Sequence, residues 1–166
     1  NMQMLIYLYC VIRGKGLSQL KPAGILYKTA KRDISDKGMS MNGLLPNDLG
    51  LLAAMEKENK GEFIPKIKIN KDGSLAKKND SFISYEDFDV IFDYIEKIMK
   101  NTGETISSGD IAVNPVNGLK AEACKYCEYS NVCGIEDEEI FTVQNADSTA
   151  VIETIKEEAY ATETDA

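Results

Sequence analysis

The chain has 166 residues, 43% hydrophobic and 28% charged, with a net charge of −8. That is enough for one domain with a sizeable core and too little for two comfortable ones. No apolar run reaches the length needed to cross a bilayer, and no secretory leader opens the chain. Residues 136–166 hold ten acidic residues and one Lys, whereas residues 1–135 hold eighteen basic and seventeen acidic. The body is therefore near neutral, which excludes a strongly basic nucleic-acid module by charge count. Lys66, Lys68, Lys71, Lys77 and Lys78 are nonetheless clustered enough to form a local basic groove or a solvated charged face. Cysteines held free or on metal fit a reducing cytoplasm, the expected location. The first residue is Asn, followed at once by an apolar helical pattern, so a piece of something longer is expected.

Residues 2–13, MQMLIYLYCVIR, read as a mostly buried helix stopped by Gly14 and Gly16. Gln3 and Tyr7 share one of its faces, four residues apart. Periodicity favours Tyr7 as core, and Cys10 as a packed small residue rather than a ligand. Residues 22–29 read as a strand entered from Pro22, 31–38 as a charged loop, and 41–45 as a short strand. A helix follows over about 48–58, capped by Asn47 or Asp48, with Leu51, Leu52 and Met55 on its apolar face. Residues 64–70 alternate, with Ile64, Lys66 and Lys68 opposite Pro65, Ile67 and Ile69. The turn at 71–73 then suggests a hairpin with 74–77.

Phe82 and Ile83 are briefly extended. Ser84 with Asp87 resembles a capping box and opens a helix to about Asn101, its apolar face built from Phe88, Ile91, Phe92, Ile95, Ile98 and Met99. Gly103 is expected to end it, leaving 104–120 loop-like. Residues 136–166 read as a disordered acidic tail, with at most a frayed helix near 151–160.

The chemistry-bearing stretch is Cys124-Lys125-Tyr126-Cys127-Glu128-Tyr129-Ser130-Asn131-Val132-Cys133. Cys124 and Cys127 can grip one soft metal centre from a tight loop. Cys133 follows after about one and a half helical turns. Tyr126, Tyr129 and Val132 supply bulk to keep water off such a centre. With no His in the chain, a fourth ligand must be Cys10, a carboxylate or a residue outside this sequence. The competing readings are buried small residues or an adventitious disulfide.

The order of these pieces resembles a known family. Gln3-Met4-Leu5-Ile6-Tyr7 resembles the Q-x3-Y helix of the RecB-type PD-(D/E)XK nucleases. Lys21 to Tyr27 and Met41-Asn42-Gly43-Leu44-Leu45 are similar to segments of their AddB/RexB group, as are Ala54-Met55, Lys71 to Ser74, Gly109-Asp110-Ile111 and Asn114-Pro115. Ala123 to Cys133 is similar to the group's C-terminal iron–sulfur segment.

The resemblance covers about residues 1–135. It implies an α/β fold, part of a restriction-endonuclease-like core with a small mixed sheet flanked by helices. It divides the chain into a nuclease part (1–120), a cysteine segment (121–135) and the acidic tail (136–166). The implied function is that of the C-terminal part of the B subunit of a bacterial ATP-dependent helicase–nuclease. Such complexes process double-strand breaks for recombinational repair. They pair this protein with a second helicase–nuclease partner and act on double-stranded DNA ends and single-stranded DNA.

Gln3 and Tyr7 would line the edge of a Mg2+-dependent exonuclease site. Cys124, Cys127 and Cys133 would hold three corners of a structural [4Fe–4S] cluster, the fourth ligand lying outside this chain. The family's metal-binding Asp and D-x-K strand precede the Q-x3-Y helix, so the isolated chain is expected to be inactive. Asp33, Asp36 and Asp72 match no catalytic motif. The alternatives are a noncatalytic DNA-binding or scaffold lobe with Zn2+ or a structural cluster, and another iron–sulfur nuclease of the kind used in CRISPR adaptation. The segments at 41–45 and 71–74 argue against the latter.

Overall fold

A computed structural model of the chain describes residues 2–14, 19–28, 41–58, 60–65, 67–72, 81–110, 112, 114–118, 121–122, 124–134, 140–143 and 146–164. These residues form two units, one from residues 1–98 and 148–166 and the other from residues 99–147. The division departs from the three consecutive segments expected from sequence, because the C-terminal residues return to the first unit.

The first unit is organised by helix α3 (Tyr85–Ser107), whose Phe88, Ile91, Phe92 and Ile95 are buried in a single stripe. The predicted capping box opens it: Asp87 N–H donates to Ser84 Oγ at 3.0 Å, and Ser84 N–H donates to the Asp87 carboxylate at 3.3 Å. The helix runs through Gly103, where the sequence predicts its end. Gly103 faces open space, so its penalty is only the intrinsic ~1 kcal/mol. The stop is at Gly109, with φ of 78°. Gly109 N–H donates to Ile106 O and Asp110 N–H to Thr105 O, which together make a Schellman motif.

Helix α1 (Met2–Arg13) lies along α3 in the opposite direction. Tyr9 Oη donates to Glu96, while Arg13, one turn on, pairs with Asp93 at 3.0 Å and Asp89 at 3.3 Å. Leu5, Ile6, Leu8 and Ile12 pack against the α3 stripe. The helix is less buried than expected, with no fully buried residue. Tyr7, read as core, and Cys10, read as a packed small residue, are exposed on the opposite side, as is Val11.

Strands β1 (Ile25–Tyr27), β2 (Asn42–Pro46) and β3 (Phe82–Ile83) form a mixed sheet in that order, β1 antiparallel and β3 parallel to β2. Successive β2 side chains point to opposite faces. Leu44 joins the α3 stripe, and Leu45 joins a second cluster with Leu52, Ile64 and Ile67. The sheet is thus a layer between two apolar clusters, the α/β arrangement expected. Helix α2 (Leu49–Met55) supplies Leu52 to the second cluster and is capped by Asp48, which accepts from Gly50 and Leu51 N–H. β1 is shorter than the predicted strand. The predicted loop at 31–38 and the returning hairpin strand lie outside the described residues.

The acidic tail is the largest departure. Residues 148–164 form helix α5 (Ser148–Thr164). Ile152 and Ile155 are buried, Ile152 inside the α3 cluster. Lys156 Nζ donates to Asp87 at 2.6 Å. Two isoleucines one turn apart and one well-placed Lys outweigh a composition that otherwise predicts disorder.

In the second unit, β4 (Val116–Gly118) lies between an antiparallel β5 (Ala121–Glu122) and a parallel β6 (Phe141–Thr142), with α4 (Ser130–Cys133) between them in sequence. The region read as a loop at 104–120 therefore holds the end of α3 and all of β4.

The two glycines give opposed expectations. A Cβ on Gly43 would fall on the carbonyl oxygen of Ile25 in the neighbouring strand, so Gly43→Ala should destabilise the chain by about 2–4 kcal/mol. Gly103→Ala should stabilise it by up to ~1 kcal/mol. Urea denaturation of the two variants checks both signs.

Candidate functional site

The polar chemistry of the described residues gathers on the outer face of α1, in the cysteine segment, in the turn after α2 and where α2 and α3 begin. On α1, one helical turn brings Gln3 and Tyr7 together as the sequence spacing required. Gln3 Nε2 donates to Tyr7 Oη at 2.8 Å. Because the phenol oxygen accepts that bond, its own proton is left to donate to a further acceptor. The pair is exposed, so it can meet a large substrate without the fold opening.

In the cysteine segment, residues 124–127 turn back on themselves. Cys127 N–H donates to Cys124 O at 3.2 Å, and Cys133 N–H to Tyr129 O at 2.9 Å within α4. Gly134, at φ 68°, ends that turn of helix. Cys124 is half-buried, and Cys127 and Cys133 are exposed. Among the described residues no three His, Cys, Asp or Glu side chains converge into a ready metal site. The shielding role expected of Tyr126, Tyr129 and Val132 is corrected: they are 86%, 70% and 80% exposed. In donor chemistry the segment still suits a soft metal or an iron–sulfur cluster, with three thiols on a reversing turn and a short helix.

The turn after α2 holds a charged group that sequence reasoning missed. Glu56 is only 7% exposed, and its carboxylate accepts from four successive backbone N–H groups, Gly61 at 2.7 Å, Glu62 at 3.0 Å, Phe63 at 3.3 Å and Ile64 at 3.1 Å. Burial alone pushes the carboxyl up. The four N–H groups, which bond the charged form more strongly than the neutral one, outweigh it and hold the pKa down to about 2. This cradle explains why the predicted alternation at 64–70 fails. The backbone at 61–64 is curled around a carboxylate, and Ile64 and Ile67, three apart, are both buried. No periodic signal marks a carboxylate that bonds backbone amides, so only the glycine at 61, with φ of 78°, hinted at the turn.

A second network ties the ends of α2 and α3 together. Tyr85 Oη donates to Asp48 at 3.2 Å, and the Lys21 ammonium lies 4.8 Å from the centre of the Tyr85 ring. Backbone N–H of Leu51 and Gly50, with the Tyr85 hydroxyl and Lys21, lowers the Asp48 carboxyl against its desolvation. Asp72 lies in a turn, and Asp33 and Asp36 fall outside the described residues.

Residues 1–134 match the family model of the PD-(D/E)XK nuclease superfamily. The chain belongs to this superfamily. It is 32% identical over 154 residues to the ATP-dependent helicase/deoxyribonuclease B subunit of Thermoanaerobacter sp. (strain X514), covering 82% of this chain and 13% of that protein. It is 30% identical to the protein of that name from Clostridium novyi (strain NT), covering 95% of the chain and 16% of the relative. With the Acetivibrio thermocellus protein the identity is 38% over 98 residues, 58% of this chain and 8% of the relative. The chain thus spans a small part of these curated relatives. The family drawn from Gln3–Tyr7, Met41–Leu45 and the cysteine segment is the family found.

The Glu56 cradle predicts an acid limit on stability. A carboxylate whose pKa is lowered by folding contributes stability that is complete above its unfolded value, near 4.5, and is lost as pH falls towards about 2. Glu56→Gln should cost about 2 kcal/mol at neutral pH and flatten the pH dependence across that window, as read by thermal melts from pH 7 to pH 2.

Proposed function

We propose that this chain is the C-terminal part of the nuclease domain of the B subunit of a bacterial ATP-dependent helicase–deoxyribonuclease, and that the whole protein hydrolyses DNA strands at double-strand ends during recombinational repair. The match of residues 1–134 to the nuclease family carries the reading. Its similarity to helicase/deoxyribonuclease proteins named as B subunits sharpens it and implies a second helicase–nuclease partner.

On this reading Gln3 and Tyr7 form the edge of the active site. The Gln3 amide fixes the Tyr7 hydroxyl, whose proton binds a phosphate oxygen or orients the attacking water. When bound, Mg2+ supplies Lewis-acid stabilisation of the phosphoryl oxygens, its carboxylate ligands coming from outside the described residues. Cys124, Cys127 and Cys133 supply three ligands of a [4Fe–4S] cluster whose role is structural, the fourth ligand coming from elsewhere in the protein.

Tyr7 is 53% exposed, so Tyr7→Phe tests the site without disturbing the core. In the full-length protein it should lower Mg2+-dependent degradation of linear DNA by about 10–100-fold with an unchanged melting curve. Full activity in this variant would remove Tyr7 from the site. Metal analysis of anaerobically purified full-length protein should give about four iron per chain, lost in Cys124→Ser. Zinc in place of iron, with no cleavage by the wild type, would instead establish a noncatalytic DNA-binding or scaffold lobe.

A further inference from the structure

One stretch of the first unit concentrates positive charge in a way the nuclease reading has not used. Residues 57–71 contain five lysines against two glutamates, although residues 1–135 as a whole are nearly balanced. Glu58 is already neutralised by its ion pair with Lys60, and the adjoining charge of Glu56 is taken up by four backbone amides. Lys57, Lys68 and Lys71 are exposed, and no described side chain pairs with them.

The backbone beneath these lysines is firmly held. The Glu56 cradle fixes residues 61–64, Met41 N–H donates to Phe63 O at 2.9 Å, and Ile64 and Ile67 are buried as anchors. Lys68 follows directly after the second anchor. Lys71 is three residues further on, within about 10 Å along the chain, so the two ammonium groups can reach neighbouring phosphates. The same stretch presents an aromatic ring to solvent: Phe63 is 44% exposed. Free lysines with an exposed ring on a pre-set backbone are the requirements for holding a nucleic-acid strand with unstacked bases. Ordering costs are confined to the side chains.

We propose that the surface carrying Phe63, Lys68 and Lys71 binds single-stranded DNA, with Lys68 and Lys71 on the phosphates and Phe63 against a base. The proposal rests on the nuclease reading and deepens it by naming a surface that guides the strand.

The test uses the full-length protein and a fluorescein-labelled oligothymidine of about 20 nucleotides, with affinity measured by anisotropy across a salt series. The double variant Lys68→Ala/Lys71→Ala should bind about tenfold more weakly near 0.1 M salt, and the slope of log affinity against log salt should fall by about 1.4, or 0.7 for each phosphate no longer neutralised. Phe63→Ala should weaken binding by at least fivefold with the slope unchanged. Lys97→Ala, an exposed lysine of α3, should leave both quantities at wild-type values. Circular dichroism melts establish that each variant is folded.

Wild-type affinity and slope in the folded double variant would overturn the proposal, while the nuclease reading stands if the wild type still degrades DNA. A wild type that binds the strand through these lysines but cleaves nothing would keep the surface and remove the nuclease. A wild type that binds no DNA would overturn both.

Discussion

Everything in the first unit depends on keeping four side chains of α3 away from water. Phe88 and Phe92 have no exposed surface, and Ile91 and Ile95 are nearly as deep. Burying such a side chain contributes about 1.5–3 kcal/mol, far more than any surface ion pair around it. Three elements meet that demand from different directions: α1 through Leu5, Ile6, Leu8 and Ile12, the sheet through Leu44 and Ile83, and α5 through Ile152. The polar contacts at the margins select the seating. Tyr9 on Glu96 and Arg13 on Asp89 and Asp93 fix the direction of α1 on α3. The outward placement of the Gln3–Tyr7 pair follows, because a helix that turns Leu5, Leu8 and Ile12 inward has Tyr7 on its far side.

The sheet shows the same economy at the backbone. β1 and β2 approach so closely that Gly43 has no room for a side chain, and at Gly24 a Cβ would lie 2.6 Å from Leu44 O. The glycine in the Met41-Asn42-Gly43-Leu44-Leu45 segment thus has a steric reason. Leu44 and Leu45 beside it must face opposite layers, which places the sheet between the two apolar clusters.

Much of this was legible in the sequence where the signal is periodic or local. The α3 stripe repeats at helical spacing, Ser84 and Asp87 stand three apart, and Gln3 and Tyr7 share a face by arithmetic alone. What escaped depends on long-range partners. Ile152 and Ile155 are too few to mark a helix in an acidic segment, and only the folded unit, with Ile152 against α3, makes them a packing face. Ile64 and Ile67 break the alternation because a carboxylate several residues earlier gathers the intervening amides. Gly103 looks like a stop, but on an exposed face it is a small cost that the rest of the helix absorbs. The thiols of the cysteine segment stood out in the sequence as candidate ligands by type and spacing, whereas the exposure of Tyr126, Tyr129 and Val132 did not.

The docking of α5 has a cost that its few side-chain partners conceal. Lys156 and Asp87 are 69 residues apart in sequence, and bringing two points of an unfolded chain that far apart together costs roughly 3–4 kcal/mol from the logarithm of the separation alone. The Lys156–Asp87 pair is partly exposed and contributes about 1 kcal/mol, too little to offset that. Ile152 and Ile155, at about 1.5–3 kcal/mol each, can. The isoleucines therefore hold the helix down, and the lysine decides where along α3 it lies. The second unit, residues 99–147, lies in sequence between Asp87 and Lys156, so the C-terminal helix can reach its partners on α3 only after that whole unit has been made.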